Sequence, residues 1–391
     1  MKRYNKTALM MGFLLLFISM KSNLSGCTSF ACYFDKVYYG MNFDYPDVEL
    51  KFSISKTNTG KRFLMSFKQG SGFGSTAGVN DQGLFSAEQM LYPEQYNSTP
   101  KQADELYLWD VFNYSTINCQ SVEQIKDFID GKTVRQAGNI CLHDIVADKY
   151  GGAMVVEPGN NDNALTDIED DFIVMTNFRI ADFANSPYNQ VSGPGAERYK
   201  TAYEYINQNR NSFGYENGIE TLRRTIQSSG GYPTQCSMLF DPAMNEVFIA
   251  LKGDFSKIWK VSIDQGIIES YSGFSKQISM EMGASGVLAS LMSEIASTEN
   301  MPTSMEGLIN SYPNPFNKST ILKYRISKSG PVSIKLYNAQ GEVLKNYVNK
   351  DLQANEYELT ISANDIQQSG IYYCVLETNN TKDTRKIVFE K

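Results

Sequence analysis

Short runs of apolar residues, separated by polar and turn-forming residues, recur along the chain and predict many strands with a few helices between them. Between residues 27 and 263 these runs change back and forth between strand and helix periodicity. The segments with helical spacing are 103–116, 121–129, 197–207 and 218–227, and Ser121 is a suitable N-cap for the second. The other runs predict strands at 37–41 and 62–67 and two hairpins, at 139–157 and 236–251. This alternation predicts a layered α/β or α+β domain.

Residues 311–391 carry only strand signals and predict a separate, small all-β domain. The strand segments are 321–326, 332–337, 356–361, 371–376 and 385–389. Turn residues between them favour a β-sandwich, and we expect one of the immunoglobulin-like kind. The stretch 266–310 is rich in Ser, Met and Gly and predicts a linker or an extension of the first domain, with one short amphipathic helix within 287–295.

The first 26 residues have the pattern of a signal peptide. Three basic residues open the chain, and residues 8–20 form an apolar run that is too short to span a bilayer, where about 20 residues are needed. Removal of this segment takes away four positive charges and moves the formal net charge from −7 to −11. The remaining chain is therefore expected to be exported and acidic, which does not favour a nucleic-acid partner.

The composition limits the chemistry that the chain can carry out. With 42% apolar and 20% charged residues it is expected to fold around a proper core. It has one histidine, His143, so a His-rich zinc site is excluded. The six cysteines form no CxxC pair, and although export permits disulfides, the sequence does not choose partners. Five of them are most simply small buried apolar residues; these are Cys32, Cys119, Cys141, Cys236 and Cys374.

Cys27 lies at the end of the signal segment and admits two interpretations. If cleavage falls before it, the mature chain begins with a thiol beside its own α-amine, whose ordinary pKa is about 7.7–8.0. One residue then supplies a nucleophile and a general base. The rival interpretation is lipidation, because residues 24–27 (LSGC) match the pattern cleaved in bacterial lipoproteins. Acylation of the thiol and of the amine would remove both reactive groups.

From Cys27 onward the chain resembles the choloylglycine hydrolase and penicillin V acylase group of the N-terminal nucleophile hydrolases, with its acyltransferase relatives. The resemblance covers about 240 residues and rests on ordered motifs. These are Cys27-Thr28, residues 40–45 (GMNFDY), 78–84 (GVNDQGL), 142–148 (LHDIVAD), 175–178 (MTNF) and 197–199 (ERY). It implies a four-layer αββα core and hydrolysis of linear amides without a metal or an organic cofactor.

Carried over by position, the resemblance assigns four catalytic residues. Cys27 would be the nucleophile, with its α-amine as the base. Asp44 would hold the amine and the thiol in place, and Asn177 would donate its side-chain amide to the oxyanion. Arg198 would order the Asp44 carboxylate or the surroundings of the nucleophile. Each residue also has an alternative role. Cys27 could be a lipid anchor, Asp44 a turn cap, Asn177 a turn residue and Arg198 a solvated charge on a helix.

The chain departs from the group in two places. Bile-salt and penicillin V hydrolases usually carry arginine where this chain has Met41, which offers only apolar contact. The group also has an asparagine after its Gly-Leu strand, and here Gln89 or Met90 lies nearby, so a backbone N–H could serve as the second oxyanion donor. His143 falls in a predicted strand and is interpreted as a hydrogen-bonded structural residue.

The C-terminal domain closely resembles the sorting domain of type IX secretion cargo. The resemblance rests on residues 312–317 (YPNPFN), Gly341, residues 369–373 (SGIYY) and a basic, apolar end. It implies passage through the periplasm and the outer membrane by the secretion machinery, with the domain usually removed. A retained adhesion domain is the alternative.

Together these observations divide the chain into a signal peptide (1–26), a catalytic domain (27–265), a linker or extension (266–310) and a sorting domain (311–391). We expect a secreted or surface-attached cysteine amidase that hydrolyses linear, non-peptide C–N bonds of small N-acyl compounds. The alternatives are an acyltransferase of the same group and an inactive, lipid-anchored binding module. A homo-oligomer is left open.

Overall fold

The structure, a computed structural model, describes residues 26–58, 60–93, 100–136, 140–158, 163–298, 307–326, 328–366, 368–379 and 382–391. Residues 1–25 of the predicted signal peptide therefore lie outside the described residues. Within the described part, no helix is long and apolar enough to cross a membrane.

The part before residue 299 combines many strands with a few helices. The strands are β1 (Thr28–Tyr33), β2 (Val37–Asp44), β3 (Leu50–Lys56), β4 (Lys61–Gln69), β5 (Gly72–Asn80), β6 (Phe85–Met90), β7 (Glu105–Tyr107), β8 (Thr133–Arg135), β9 (Leu142–Ala147), β10 (Ala153–Glu157), β11 (Ala164–Asp167), β12 (Phe172–Met175), β13 (Thr234–Asp241), β14 (Glu246–Leu251), β15 (Asp254–Ser262), β16 (Ile267–Ser272), β17 (Ser279–Glu281) and β18 (Val287–Leu288). The helices are α1 (Leu108–Asn118), α2 (Val122–Ile129), α3 (Ala196–Gln208), α4 (Tyr215–Arg224) and α5 (Ala289–Thr298).

Two large antiparallel sheets form the centre of this region. Sheet A has the strand order β12-β1-β2-β13-β14-β15-β16-β17, and sheet B has the order β11-β10-β9-β6-β5-β4-β3-β18. Both sheets contribute to one buried apolar cluster, with Tyr39 and Met41 from sheet A and Phe52 and Phe63 from sheet B. The sheets therefore pack face to face around the main core.

Each sheet carries helices on its other face. Alternation along β1 turns Phe30 and Cys32 away from the central core, and they pack with Ala202 of α3 and Leu222 of α4. On sheet B, outward residues of β9 and β10 pack against α1 and α2 in a separate cluster. The order helix, sheet, sheet, helix follows from these three clusters, and the prediction of a mixed α and β fold is confirmed.

The structure changes the bounds of two predicted helices. Helix α1 begins at Leu108 rather than 103, because residues Glu105–Tyr107 form β7 and pair in parallel with β8. The Asp110 carboxylate accepts the Tyr107 N–H and thereby fixes the start of the helix. Helix α4 begins at Tyr215, before the predicted 218, and the Asn217 side chain accepts the Gly214 N–H at this earlier start. The predicted α2 is confirmed, with Ser121 accepting from Gln124 N.

Much of the stretch 266–310 forms regular secondary structure that pairs with the two central sheets. Strand β16 pairs with β15 in sheet A, and β18 pairs with β3 in sheet B. Helix α5 follows within 289–298, where the sequence predicts a short amphipathic helix. Up to residue 298 the stretch thus extends both sheets, and its last residues before 307 lie outside the described part.

The C-terminal region consists of strands in two sheets. The strands are β19 (Gly307–Tyr312), β20 (Ser319–Ile326), β21 (Gly330–Tyr337), β22 (Val343–Leu352), β23 (Asn355–Ser362), β24 (Gly370–Thr378) and β25 (Lys382–Phe389). The sheets have the orders β19-β20-β23 and β22-β21-β24-β25, and both contribute to one apolar cluster. The all-β prediction is confirmed, while the immunoglobulin-like assignment stays a prediction. Strand β22 was not predicted, because it lies at a sheet edge and most of its residues are exposed.

Candidate active site

Cys27 lies immediately before β1, which runs between β12 and β2 in sheet A. Its side chain belongs to the core between the two sheets, and the residue is 5% exposed. The Cys27 thiol is not in a disulfide, and the other five cysteines are buried as well. Cys27 is therefore held in place by a strand that is paired on both sides.

Asp44 is the last residue of β2, the neighbour of β1, and is 3% exposed. Its two carboxylate oxygens have separate donors. Thr234 Oγ1 donates to Oδ1 at 2.5 Å, and Gln227 Nε2 donates to Oδ2 at 2.6 Å. Gln227 Nε2 also donates to the carbonyl oxygen of Gly26, the residue before Cys27, at 3.2 Å. The carboxylate thus lies beside the peptide bond that precedes the cysteine.

Arg198, in the first turn of α3, reaches three neighbours of the site. Nη1 donates to the Cys27 carbonyl oxygen at 2.6 Å and to Thr28 Oγ1 at 2.7 Å, and Nη2 donates to Asn177 Oδ1 at 2.9 Å. The same guanidinium lies 3.8 Å from Asp44 Oδ2. The forked geometry of arginine suits a position where several acceptors must be held at once.

Asn177 follows β12 and is fully buried. Arg198 holds its side-chain oxygen, so its amide nitrogen points the other way and donates to Met90 O at 2.7 Å. A Cβ added to Gly26 would lie 2.0 Å from Asn177 Nδ2, far closer than real Cβ contacts. The amide nitrogen therefore borders the Gly26–Cys27 peptide, and Gly26 fills the space beside it.

The structure thus brings together all four residues that the sequence assigned to the site, and it adds others. Gln89 of β6 accepts the Ser29 N–H at 3.1 Å when its amide is oriented to satisfy its neighbours, and it then donates to the carbonyls of Cys27 and Thr176, each at 3.2 Å. Both N–H groups of this amide are therefore used, and Gln89 holds the backbone of Cys27, Ser29 and Thr176 by hydrogen bonds. Sequence reasoning missed Gln227 and Thr234, because neither lies in a motif of the resemblance.

Burial controls protonation at this site. Burial and, secondarily, the charge of Asp44 raise the pKa of the Cys27 thiol to about 12, although Arg198 and a backbone hydrogen bond act against this. Burial also raises the pKa of Asp44 to about 6, against the lowering effects of Arg198, Thr234 and Gln227. With Gly26 attached, the thiol is therefore neutral near pH 7, while most of the Asp44 carboxyl is ionised.

Two further sequence predictions concern neighbouring residues. Met41 is fully buried in the core between the sheets, where it makes apolar contacts. His143 is also fully buried and hydrogen bonded on both ring nitrogens. Across the described residues, His, Cys, Asp and Glu do not assemble into any group of three that could hold a metal ion.

Residues 310–390 match the family described as "Secretion system C-terminal sorting domain". The sequence prediction of a sorting domain is thereby confirmed. No curated protein matches the chain.

Two kinds of solved structure are similar to the chain. A variant of the conjugated bile acid hydrolase from Clostridium perfringens has a TM-score of 0.47 and 14% identity, covering 66% of this chain and 97% of its own. The penicillin V acylase from Agrobacterium tumefaciens has a TM-score of 0.48 and 16% identity, covering 63% of this chain and 91% of its own. These are the enzymes that the sequence motifs resemble. At such scores the likeness carries no argument about the chemistry, which depends on the residues of this chain.

Proposed function

We propose that the chain is an exported amidase in which Cys27, freed by cleavage after Gly26, attacks linear C–N amide bonds of N-acyl compounds. One observation carries the proposal: Cys27, Asp44 and Asn177 are buried together at the start of β1, where Arg198 donates to the Cys27 carbonyl and to Asn177 and lies 3.8 Å from Asp44. This group combines a nucleophile, a place for a terminal amine, and an amide donor beside the nucleophile.

The first half of the reaction transfers the acyl group to sulfur. The α-amine of Cys27 accepts the thiol proton, and Sγ bonds to the amide carbon. The negative charge that develops on the carbonyl oxygen accepts a hydrogen bond from Asn177 Nδ2. The α-ammonium then returns the proton to the leaving nitrogen as the C–N bond breaks, which leaves a thioester on Cys27.

The second half uses water. The free α-amine takes a proton from a water molecule whose oxygen attacks the thioester carbon. As the C–S bond breaks, the α-ammonium returns its proton to the sulfur, which restores the thiol, and the acyl group leaves as a carboxylic acid. The chain's own residues suffice for each of these steps.

Asp44 and Arg198 act on the nucleophile through their hydrogen bonds and charge. The Asp44 carboxylate is beside the Gly26 carbonyl, so it is close to the amine that cleavage creates there. Its charge favours the ammonium form that the mechanism needs after proton transfer. Arg198 fixes the Asn177 oxygen, which keeps the amide nitrogen aimed at the reacting carbonyl.

An aromatic group beside Asp44 supports an apolar acyl portion for the substrate. Phe43 and Tyr45 flank Asp44, and their rings stack with centroids 5.5 Å apart. Phe67 of β4 packs against both, at 5.4 Å and 5.0 Å. We therefore propose acyl groups that are aromatic or aliphatic, bound against these three rings.

The C-terminal match supports secretion or attachment to the cell surface. In this proposal residues 310–390 serve recognition by the secretion machinery and take no part in the amide reaction. The amidase would then meet its substrates outside the outer membrane.

The proposal is tested with a chain that begins at Cys27, assayed against 4-nitroanilides of phenylacetic and octanoic acids. We expect nitroaniline release that disappears in Cys27→Ala. Cys32→Ala is the matched control, because Cys32 is equally buried but packs on the other face of β1. It should retain activity within about twofold, as expected for a residue away from the reacting atoms.

The outcomes separate the proposal from its alternatives. Equal activity in wild type and Cys27→Ala would overturn it. Acyl transfer to an added ordinary primary amine such as glycine, in preference to water, would identify an acyltransferase. The mass of the N-terminal peptide from the native host decides the third case, since a diacylglyceryl, acylated Cys27 would identify a lipid-anchored protein without the free amine.

A further inference from the structure

The only histidine of the chain, His143, is fully buried against a glutamate next to the candidate active site. His143 of β9 and Glu157 at the end of β10 are both 0% exposed, and Nδ1 lies 3.1 Å from Glu157 Oε1. The other ring nitrogen, Nε2, lies 2.6 Å from the carbonyl oxygen of Thr176. Thr176 is the residue immediately before Asn177.

Both ring nitrogens of His143 face oxygen atoms that accept hydrogen bonds. A carbonyl oxygen can only accept, and the Glu157 carboxylate is already an acceptor for two backbone N–H groups, those of Ile180 and Ala181, at 2.9 and 3.0 Å. A neutral imidazole has one donor and would leave one nitrogen facing an acceptor without a proton. The imidazolium satisfies both contacts.

The pair holds the Asn177 segment at both ends. His143 binds the carbonyl of Thr176 on one side of Asn177, and Glu157 binds the N–H groups of Ile180 and Ala181 on the other. Between these points the chain leaves strand β12 and enters the short helix Ile180–Phe183. A change in either partner would release one end of the segment.

We propose that His143 is a positioning residue that, as the imidazolium paired with Glu157, fixes the segment 176–181 so that the Asn177 amide faces the carbonyl oxygen of the amide bond attacked by Cys27. The inference depends on the proposed function for its effect on catalysis. The charge state and the anchoring of the segment do not depend on it.

The groups around the ring are consistent with this role. From β10 the ring faces the Glu157 carboxylate, and from β6 it is paired in register with Gln89, which is neutral. From the segment after β12 it faces the Thr176 carbonyl. Beyond Thr176, Arg198 of α3 binds the side-chain oxygen of Asn177. Burial favours a neutral Glu157, but the His143 hydrogen bond and charge, with the two backbone N–H groups, lower the pKa of Glu157.

The first test uses the fact that the chain contains one histidine. The full chain from Cys27, without a histidine tag, is labelled with ¹⁵N in histidine only, so that one pair of ring signals reports on His143. At pH 7 we expect the chemical shifts of a doubly protonated ring and slow exchange of both ring protons. A neutral tautomer at pH 7 would overturn the proposal.

The second test compares the wild type with the double variant His143→Gln/Glu157→Gln, in which two neutral amides replace the ion pair and leave no buried charge without a counterion. We expect faster amide hydrogen exchange at Ile180 and Ala181 in the double variant, while exchange in the distant strands β13 and β14 stays as in the wild type. Unchanged exchange at both residues would overturn the anchoring.

The catalytic part is tested by a cycle with Asn177→Ala. Loss of one oxyanion donor lowers kcat by about 10²–10³. We expect the His143→Gln/Glu157→Gln pair to lower kcat by about tenfold in the wild-type background and by less than about twofold in the Asn177→Ala background, with KM little changed in both. An equal loss of kcat in both backgrounds would show a general structural effect and overturn the proposal.

The failures of the two proposals are distinguishable. If the wild type hydrolyses no acyl anilide although Cys27 is free, the proposed function fails, and the ring signals and the exchange rates still decide whether His143 is charged and anchors the segment. If the wild type is active but the cycle shows no coupling, only the role of His143 fails.

Discussion

Asp144 offers a direct test of the layer arrangement, because its carboxyl is buried under α1 on the helix-covered face of sheet B. The residue is fully buried in β9, and Ser86 Oγ donates to its Oδ2 at 2.7 Å. Glu88 of β6 lies opposite Asp144 in the register of the two strands and has a pKa raised by burial and by the charges of Asp144 and Asp110. A second ionised carboxyl is therefore costly at this position.

Burial raises the pKa of Asp144 from 3.8 to about 7, although hydrogen bonds from Ser86 and Ala87 act in the opposite direction. The folded chain thus keeps a proton that the unfolded chain loses near its ordinary pKa. Stability from this group is complete below pH 3.8 and decreases as the pH rises towards 7. At about 1.4 kcal/mol for each pH unit, the free energy of unfolding falls by about 4 kcal/mol over this window.

The substitution Asp144→Asn keeps the shape of the side chain and an acceptor for Ser86 but cannot ionise. We expect the variant to be close to the wild type in stability at pH 4 and to exceed it by about 4 kcal/mol at pH 8. Urea unfolding of the chain from Cys27, under reducing conditions at pH 4, 6 and 8, measures this difference. The matched control Asp171→Asn changes a carboxylate whose side chain is 57% exposed, and we expect no comparable gain in stability from it. Parallel stability curves for wild type and Asp144→Asn would refute the reasoning.

The remaining predictions concern the site. Arg198→Lys keeps the charge but cannot hold three acceptors in a fork, so we expect kcat to fall at least tenfold at nearly unchanged KM. The control Arg210→Lys, on the surface, should leave both constants unchanged in the same steady-state assay. Equal constants for the wild type and the two variants would contradict the role assigned to Arg198. A chain that begins at Gly26 instead of Cys27 has no amine on the cysteine and keeps Gly26 against Asn177. We expect it to hydrolyse acyl anilides at least about 10²-fold more slowly and to react slowly with iodoacetamide at pH 8, and rates like those of the chain from Cys27 would contradict the need for cleavage.

Periodicity predicted those elements whose burial is regular along the chain. Helix α2 was found because its apolar residues repeat at helical spacing behind a serine cap. Strand β22 was not predicted, because an exposed edge strand lacks the alternation of buried apolar and exposed polar residues. The start of α1 was misplaced, because the pairing of β7 with β8 joins segments about 28 residues apart in sequence, and no local pattern reports such a contact.

In the candidate site, too, the residues within local sequence motifs could be predicted and those brought in from distant segments could not. Cys27, Asp44, Asn177 and Arg198 could be selected because each lies in a motif of the family that the sequence resembles. Their partners could not be selected, because a hydrogen-bond donor from a distant loop has no spacing signal. Gln227 and Thr234 reach Asp44 from more than 180 residues away. The role of the single histidine likewise appears only when two strands and the segment after β12 are brought together.

In the proposed mechanism a single peptide bond separates the inactive from the active chain. With Gly26 attached, the buried thiol has a pKa of about 12 and is neutral at physiological pH, where a neutral thiol attacks poorly. Cleavage removes Gly26 from the space beside Asn177 and creates an amine, of ordinary pKa about 7.7–8.0, next to the Asp44 carboxylate. The bonds from Arg198 to Asn177 and to the Cys27 carbonyl are already present in the uncut chain. The oxyanion donor is therefore preorganised before activation, and cleavage has to supply only the base and the room for a substrate.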